Sequence, residues 1–290
     1  MLLDEYFLRR LERLRLALAV RPRTRGRPGG IHHSPKAGMS LEFADYKRYT
    51  PGDDFRYVDW KVYGRLDRLL IKVFTREEDM PIYLLLDKSG SMGVGGKFLY
   101  SLRLAAALGY IGLKELDRVG AYPFSGGIEG GLPPRSGPQQ IFRLFRYLEG
   151  LRPGGRTDLN KALEGFVAQR RQAGLAVLIS DMLAPGGYER GLGHLLSRNF
   201  RVLLLQPLAS ADLDPPPEGA VRLVDAETGR GLELELSGPA IELYQQRLQA
   251  YLGRLEAFCL ANKIDYLRLP ITTPLETVIF ELLGAREVVR

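Results

Sequence analysis

The alternation of apolar and polar positions changes rhythm twice along the chain. The opening MLLDEYFLRRLERLRLALAV places Leu3, Phe7, Leu11, Leu14 and Leu18 at helical spacing, which predicts an amphipathic helix. Asp4 and Glu5 come first and arginines interleave with the leucines, so the stretch lacks the apolar run of a secretory signal. RPRTRGRPGG follows, a linker punctuated by Pro and Gly that holds Arg21, Arg23, Arg25 and Arg27. Between 38 and 80, two short β-type runs, Ser40–Phe43 and Leu69–Thr75, flank a Pro51-Gly52-Asp53 turn.

The second change comes at residue 81. Ile82–Asp87 is a short apolar run, the mark of a parallel strand buried on both faces, and Arg118–Phe124, Leu175–Ser180, Arg201–Gln206 and Ile264–Leu269 read as further strands. Helical periodicity separates them at Lys97–Glu115, Pro138–Leu148, Leu159–Gln172, around Tyr188–Ser197, and from Pro239 to about Asn262. In the Pro138–Leu148 helix, Ile141, Phe142, Phe145 and Leu148 are expected to face inward. The GGIEGGL stretch reads as a short edge hairpin. Late in the chain, Val221–Val224 and Leu232–Leu236 predict a hairpin closed by Glu227-Thr228-Gly229-Arg230. A final helix opens with Thr273-Pro274-Leu275-Glu276, a capping-box signature. Strand–helix alternation of this kind predicts an α/β fold with a doubly wound, mostly parallel sheet. Three segments follow: 1–30, helix and basic linker; 31–80, β-rich; and 81–290, the α/β domain with a hairpin inserted at about 220–237.

Composition narrows the picture. The chain has 290 residues, 45% of them apolar and 26% charged, enough to bury a core and too apolar for a disordered chain. A single cysteine, Cys259, excludes a disulfide scaffold and a cysteine-based zinc site, and points to a reducing, cytoplasmic setting. Cys259 lies in EAFCLAN on an apolar helix face and reads as core rather than nucleophile. No run approaches the ~18 apolar residues of a membrane span. The net charge of +7 raises nucleic-acid binding, and the four-arginine linker is where phosphates could be met. Without interleaved aromatics or a groove-binding motif, a solvated linker is the better reading. Asp53, Asp54 and Asp59 alternate with Arg56, Lys61 and Arg65 around Trp60, which reads as an ion-paired clasp.

Ligands of open α/β sheets bind outside the carboxyl ends of the strands. Three polar clusters fall at such places: Asp87-Lys88-Ser89-Gly90-Ser91-Met92, the GGRTDLN loop with Thr157 and Asp158, and Ser180-Asp181-Met182. Ser89 and Ser91 are two apart, so in an extended loop their hydroxyls share a side and can converge with Asp87. With Thr157 and Asp181 the set holds three hydroxyls and two carboxylates, hard oxygen donors that suit Mg²⁺ or Mn²⁺ and do not suit zinc. If both carboxylates act through water, the cation keeps most of its charge and takes an acidic oxygen from outside. SMGVGGKF fails as a phosphate-binding loop, since Ser91 replaces the first Gly and Phe98 stands where Ser or Thr must hold Mg²⁺. The GxGxxG dinucleotide fingerprint is also missing after the first strand.

DKSGSM at 87–92, the Thr157 loop and Asp181, taken in that order, resemble the metal-ion-dependent adhesion site of von Willebrand factor type A domains. GMSLEFADYKRYTPGDDFRYVDWKVYGR at 38–65 resembles the signature stretch of the bacterial family called domain of unknown function 58, which precedes a type A domain in that family. The resemblance covers about residues 30–205. It implies that Ser89, Ser91 and Thr157 bind the metal through hydroxyls, with Asp87 and Asp181 acting through water or hydrogen bonds. Lys88 departs from the pattern, because a cation beside the site weakens metal binding unless it points away. The resemblance further implies a non-enzymatic, metal-dependent protein-binding module, an adaptor or partner of a MoxR-type AAA+ ATPase in the maturation of protein complexes. Two alternatives stand beside it. One is a hydrolase using the same cation as a Lewis acid, with Asp158 as the available base and no histidine nearby, since His32 and His33 precede the domain and His194 lies in a helix. The other is RNA binding through the arginine-rich linker.

Overall fold

The computed structural model describes residues 2–14, 16, 41–50, 58–76, 80–170, 172–286 and 288–289. Leu18, the four linker arginines, Asp53, Asp54 and Arg56 lie outside them. The chain divides into two compact units, residues 20–79 and the remainder.

In the smaller unit, β1 (Leu41–Arg48) and β2 (Leu70–Arg76) pair antiparallel, with a register shift between Phe43 and Asp45. Between them lies α2 (Trp60–Leu66). Asp59 starts this helix: its Oδ1 accepts from the amides of Lys61 (3.0 Å) and Val62 (3.2 Å), while Oδ2 accepts from the Tyr46 hydroxyl at 2.8 Å. In this unit Asp59 therefore works as a helix cap.

The larger unit carries a six-stranded sheet ordered β10-β7-β6-β3-β4-β5. Its strands are β3 (Ile82–Asp87), β4 (Val119–Phe124), β5 (Leu132–Arg135), β6 (Leu175–Ile179), β7 (Arg201–Leu208) and β10 (Asp265–Pro270). Five run parallel, and β5 alone is antiparallel, paired with β4. The protein is thus a mixed α/β fold around a mostly parallel sheet. Period-two alternation sorts the side chains of β3 between the layers. Ile82, Leu84 and Leu86 join one apolar core, with Phe7 and Leu11 of α1 (Glu5–Leu11), α3 (Lys97–Lys114), α4 (Pro138–Gly150) and the C-terminal helix. Tyr83 and Leu85 join the other, with α5 (Leu159–Gln169), α6 (Glu189–Ser197) and the end of α8 (Gly238–Ala261). Each fully buried Leu contributes about 1.5–3 kcal/mol to this arrangement. The chain segments that enter β3 and β6 approach closely at Gly174, where a Cβ would lie 2.0 Å from the Pro81 carbonyl oxygen.

Several expectations shift. The amphipathic stripe of the opening stretch condenses into a short helix, α1, started by Asp4, whose carboxylate accepts from the Phe7 amide at 2.7 Å. On α4 the buried positions are Gln140, Leu144 and Leu148, while Phe142 is 72% exposed. Phe142 sits one residue, about 100° of helix, from Ile141, and a stripe through Ile141, Leu144 and Leu148 leaves it outside. GGIEGG is a turn closed by a Phe124–Ile128 bridge, and the paired strand, β5, begins only at Leu132. Pro133 and Pro134 stand in β5, at one rim of the sheet, and Pro270 ends β10 at the other. Buried Gln140 donates to the carbonyls of both Val119 and Pro133, each at 3.0 Å, fastening α4 to that rim. The last helix is wound as a π-helix over Thr277–Leu282 before a final α-turn, α9 (Leu283–Ala285).

After β7 come a short helix, α7 (Ser210–Leu213), and the inserted hairpin of β8 (Gly219–Val224) and β9 (Gly231–Leu236). Leu234 and Leu236 are half-buried, but Leu232 is exposed, so the expected half-buried face covers only the end of β9 nearest α8. Among the described residues, no helix is long and apolar enough to cross a membrane.

Candidate functional site

The parallel register builds the site. Leu86 pairs with Ile179, so the next residues, Asp87 and Ser180, emerge side by side where β3 and β6 end. The Ser180 hydroxyl donates to Asp87 Oδ2 at 2.7 Å, and the Ser89 amide donates to Oδ1 at 2.9 Å. The chain then enters a 3₁₀ turn over Gly90–Gly93, which brings Ser89 Oγ and Ser91 Oγ to 3.1 Å from each other. The loop carrying Thr157 is tied to this one by two backbone bonds: Gly90 donates to the Gly155 carbonyl at 3.0 Å, and Gly154 donates to the Lys88 carbonyl at 2.6 Å. Asp181 follows β6 and Ser180. Met182, at φ 60°, holds a left-handed turn there, its amide donating to Ser180 Oγ at 3.0 Å.

All five residues singled out from the sequence stand in these loops at the carboxyl edge of the sheet. Asp87, Ser89 and Asp181 are buried, and Ser91 and Thr157 are half-buried. Burial, with the like charge of Asp181 behind it, pushes the Asp87 carboxyl up to about 6, although hydrogen bonds from Ser89 and Ser180 pull the other way. Asp181 is held by a residue that stands out in the sequence only within the failed phosphate-loop match. Lys97, at the start of α3 and only 1% exposed, reaches Asp181 Oδ2 at 2.8 Å and Asp212 Oδ2 at 2.9 Å. Desolvation opposes the charge of Lys97, but the two carboxylates outweigh it and hold the ammonium above its ordinary range. Asp181 Oδ1 accepts from the Leu183 amide at 3.1 Å, and its carbonyl accepts from Gln206 at 2.8 Å. Lys97 and Asp212 are 115 residues apart, so no local pattern could have joined them.

Lys88 turns aside, pairing with Glu129 of the β4–β5 turn at 2.9 Å. Hydrogen bonds from Ser125 first, then Lys88, hold the Glu129 carboxyl below its ordinary range. Asp158 is exposed and caps α5, its Oδ1 accepting from the Lys161 amide at 2.9 Å. A cleft of about 460 Å³ opens beside it, lined by Thr157, Asp158, Asn160, Gly186, Glu189 and Arg190. His194 lies in α6 and Cys259 is buried on α8, away from these loops, its thiol pushed up to about 12 by burial.

Thr157 meets the tip of the inserted hairpin. Its amide donates to Glu227 Oε1 at 3.1 Å, and its hydroxyl donates to the same oxygen. The turn residues 227–230 were legible as a hairpin closure, but nothing in their order announced that Glu227 would reach this loop.

The donor set suits a hard divalent cation. Ser89 and Ser91 offer paired neutral hydroxyl oxygens, and the buried carboxylates of Asp87 and Asp181 repel one another, a strain that a cation relieves. Among the described residues no group of three or more His, Cys, Asp or Glu is placed to hold a metal ion.

Fold and site define a mixed α/β protein whose polar loops gather at the carboxyl edge of a parallel sheet. The chain belongs to the family described as Protein of unknown function DUF58, which matches residues 45–250. An uncharacterized protein of Mycobacterium bovis is 30% identical over 221 residues, covering 74% of this chain and 69% of its own, and a Mycobacterium tuberculosis protein matches equally. Among solved structures, the conserved hypothetical protein BatB from Bacteroides thetaiotaomicron is similar at a TM-score of 0.46 and 17% identity, over 72% of this chain and 97% of its own. A proximal thread matrix protein from the mussel byssus, with a zinc-occupied MIDAS motif, is similar at a TM-score of 0.37 and 14% identity, over 44% of this chain and 38% of its own.

Proposed function

We propose that this protein is a metal-dependent protein-binding module of the von Willebrand type A kind, without catalytic activity of its own. Ser89, Ser91 and Thr157 would hold Mg²⁺ or Mn²⁺ through their hydroxyls, with Asp87 and Asp181 acting through water or hydrogen bonds. The bound cation supplies a positive charge at the mouth of the loops, and an acidic side chain of a partner protein completes its coordination. The observation that carries this reading is the approach of the Ser89 and Ser91 hydroxyls to 3.1 Å, on a loop whose backbone is bonded to that of the Thr157 loop. Lys88 leaves the mouth clear by pairing with Glu129. The partner we propose, on the resemblance of residues 38–65, is a MoxR-type AAA+ ATPase.

Titration calorimetry with Mg²⁺ and Mn²⁺ tests the site: the wild type binds and Ser89→Ala does not, and equal binding by the two removes the reading. Co-purification with a recombinant MoxR-type ATPase tests the partner, which is retained with Mg²⁺ and lost with EDTA. Turnover of a generic phosphoester that disappears in Asp158→Ala would establish a hydrolase instead.

A further inference from the structure

In the loops from β3 and β6, all four carboxylate oxygens already have donors. Those of Asp87 take the Ser89 amide and the Ser180 hydroxyl, and those of Asp181 take the Leu183 amide and Lys97. Asp87 bonds the Ser89 side chain from within its own loop, and a further carboxylate reaches the Thr157 hydroxyl from elsewhere. It is Glu227, carried 70 residues along the chain from Thr157 by the hairpin inserted before α8.

Its position is built. The Asp225 carboxylate accepts from the amides of Glu227 (3.0 Å) and Thr228 (2.6 Å) and from the Thr228 hydroxyl (2.9 Å), which fixes the turn. Gly229, at φ 70°, closes it by donating to the Asp225 carbonyl at 2.8 Å. The turn rests on the serine loop itself: a Cβ on Gly90 would lie 2.4 Å from the Ala226 carbonyl oxygen and 3.1 Å from Glu227 Cα. Glycine between Ser89 and Ser91 thus opens the seat in which the tip lies. Both loops that carry the three hydroxyls therefore touch the same turn, and one of them holds its carboxylate.

We propose that Glu227 is a built-in acidic ligand, seated by the hairpin where the acidic side chain of a protein partner would otherwise meet the cation, so that a partner engages only when the hairpin tip moves away. The proposal rests on the metal-dependent reading of the site. It makes the hairpin a competitor in cis. Antiparallel pairing of Gly219 with Leu236 brings the two ends of the hairpin together, so the whole insertion can be excised and closed with a short Gly-Ser link.

The test uses Mn²⁺ alone, with calorimetry for affinity and water-proton relaxation for the number of exchanging waters on the bound ion. Four proteins are compared: wild type, Ser89→Ala, Glu227→Gln and the hairpin excision, each checked by circular dichroism. Glu227→Gln and the excision are expected to bind Mn²⁺ about tenfold more weakly and to gain a water on the ion. If both bind as the wild type does, with the same water number, Glu227 is no ligand and the proposal falls while the metal site stands. If wild type and Ser89→Ala bind Mn²⁺ equally, or neither binds, the metal site falls and takes the proposal with it.

Discussion

Asp87→Asn separates what the buried carboxylate costs the fold from what it does for the site. The side chain keeps its shape and loses its charge. Burial beside Asp181 lifts the carboxyl from 3.8 to about 6, so over that interval the folded state keeps a proton that the unfolded chain releases. Folding then takes up a proton, and stability falls as pH rises through the window. Below it both states are protonated and Asp87 contributes nothing; above it the cost is complete. Two pH units at about 1.4 kcal/mol each give about 3 kcal/mol. In EDTA, Asp87→Asn is therefore expected to match the wild type near pH 3 and to exceed it by about 3 kcal/mol at pH 7.5. Urea unfolding followed by circular dichroism, at half-unit steps of pH, measures the difference. On the proposed reading, adding Mg²⁺ is expected to stabilise the wild type and to leave Asp87→Asn unchanged. A difference that is constant with pH, or a variant less stable than wild type at pH 7.5, refutes the argument.

Lys97→Met leaves Asp181 and Asp212 without their shared cation and is expected to cost about 3–5 kcal/mol in urea unfolding, part of which Asp181→Asn restores in the double variant; a loss under about 1 kcal/mol would show the triad to be dispensable. Gly90→Ala unseats the hairpin tip, and limited trypsin digestion should then cut faster after Arg230 than in wild type, an unchanged rate meaning that the tip does not depend on that seat. Cys259, being the single thiol, should stay inert to a disulfide reagent until urea unfolds the protein, and rapid modification of the folded chain would contradict its burial.

The sheet was legible because its chemistry is local. Runs such as IYLLLD and LAVLI are apolar on both faces, which only strands covered by helices on both sides accommodate, and β3 and β6 form where those runs lie. Asp87, Ser89 and Ser91 could be picked out because they follow directly on such a run. Helix phase was harder: the choice of Phe142 over Leu144 turned on one residue of a 3.6-residue period, where a large apolar side chain misleads. What composes the site across long sequence distances was not legible. Lys97 had shown itself only within a failed phosphate-loop match, yet it pairs with Asp181 and Asp212, and Glu227 stood in an ordinary turn. Such groups meet because the sheet order and the hairpin bring distant loops to one edge, and periodicity carries no trace of that.

The prolines at the two rims of the sheet limit how other chains can approach it. Pro133 and Pro134 offer no N–H along β5, and the carbonyl of Pro133 is already taken by Gln140. Pro270 likewise ends β10 without a donor. A foreign strand laid along the β5 rim would find half its hydrogen-bonding ladder missing, and the β10 rim stops short at its proline. Growth of the sheet by strand addition, the commonest accident of exposed edges, is thereby discouraged at both rims.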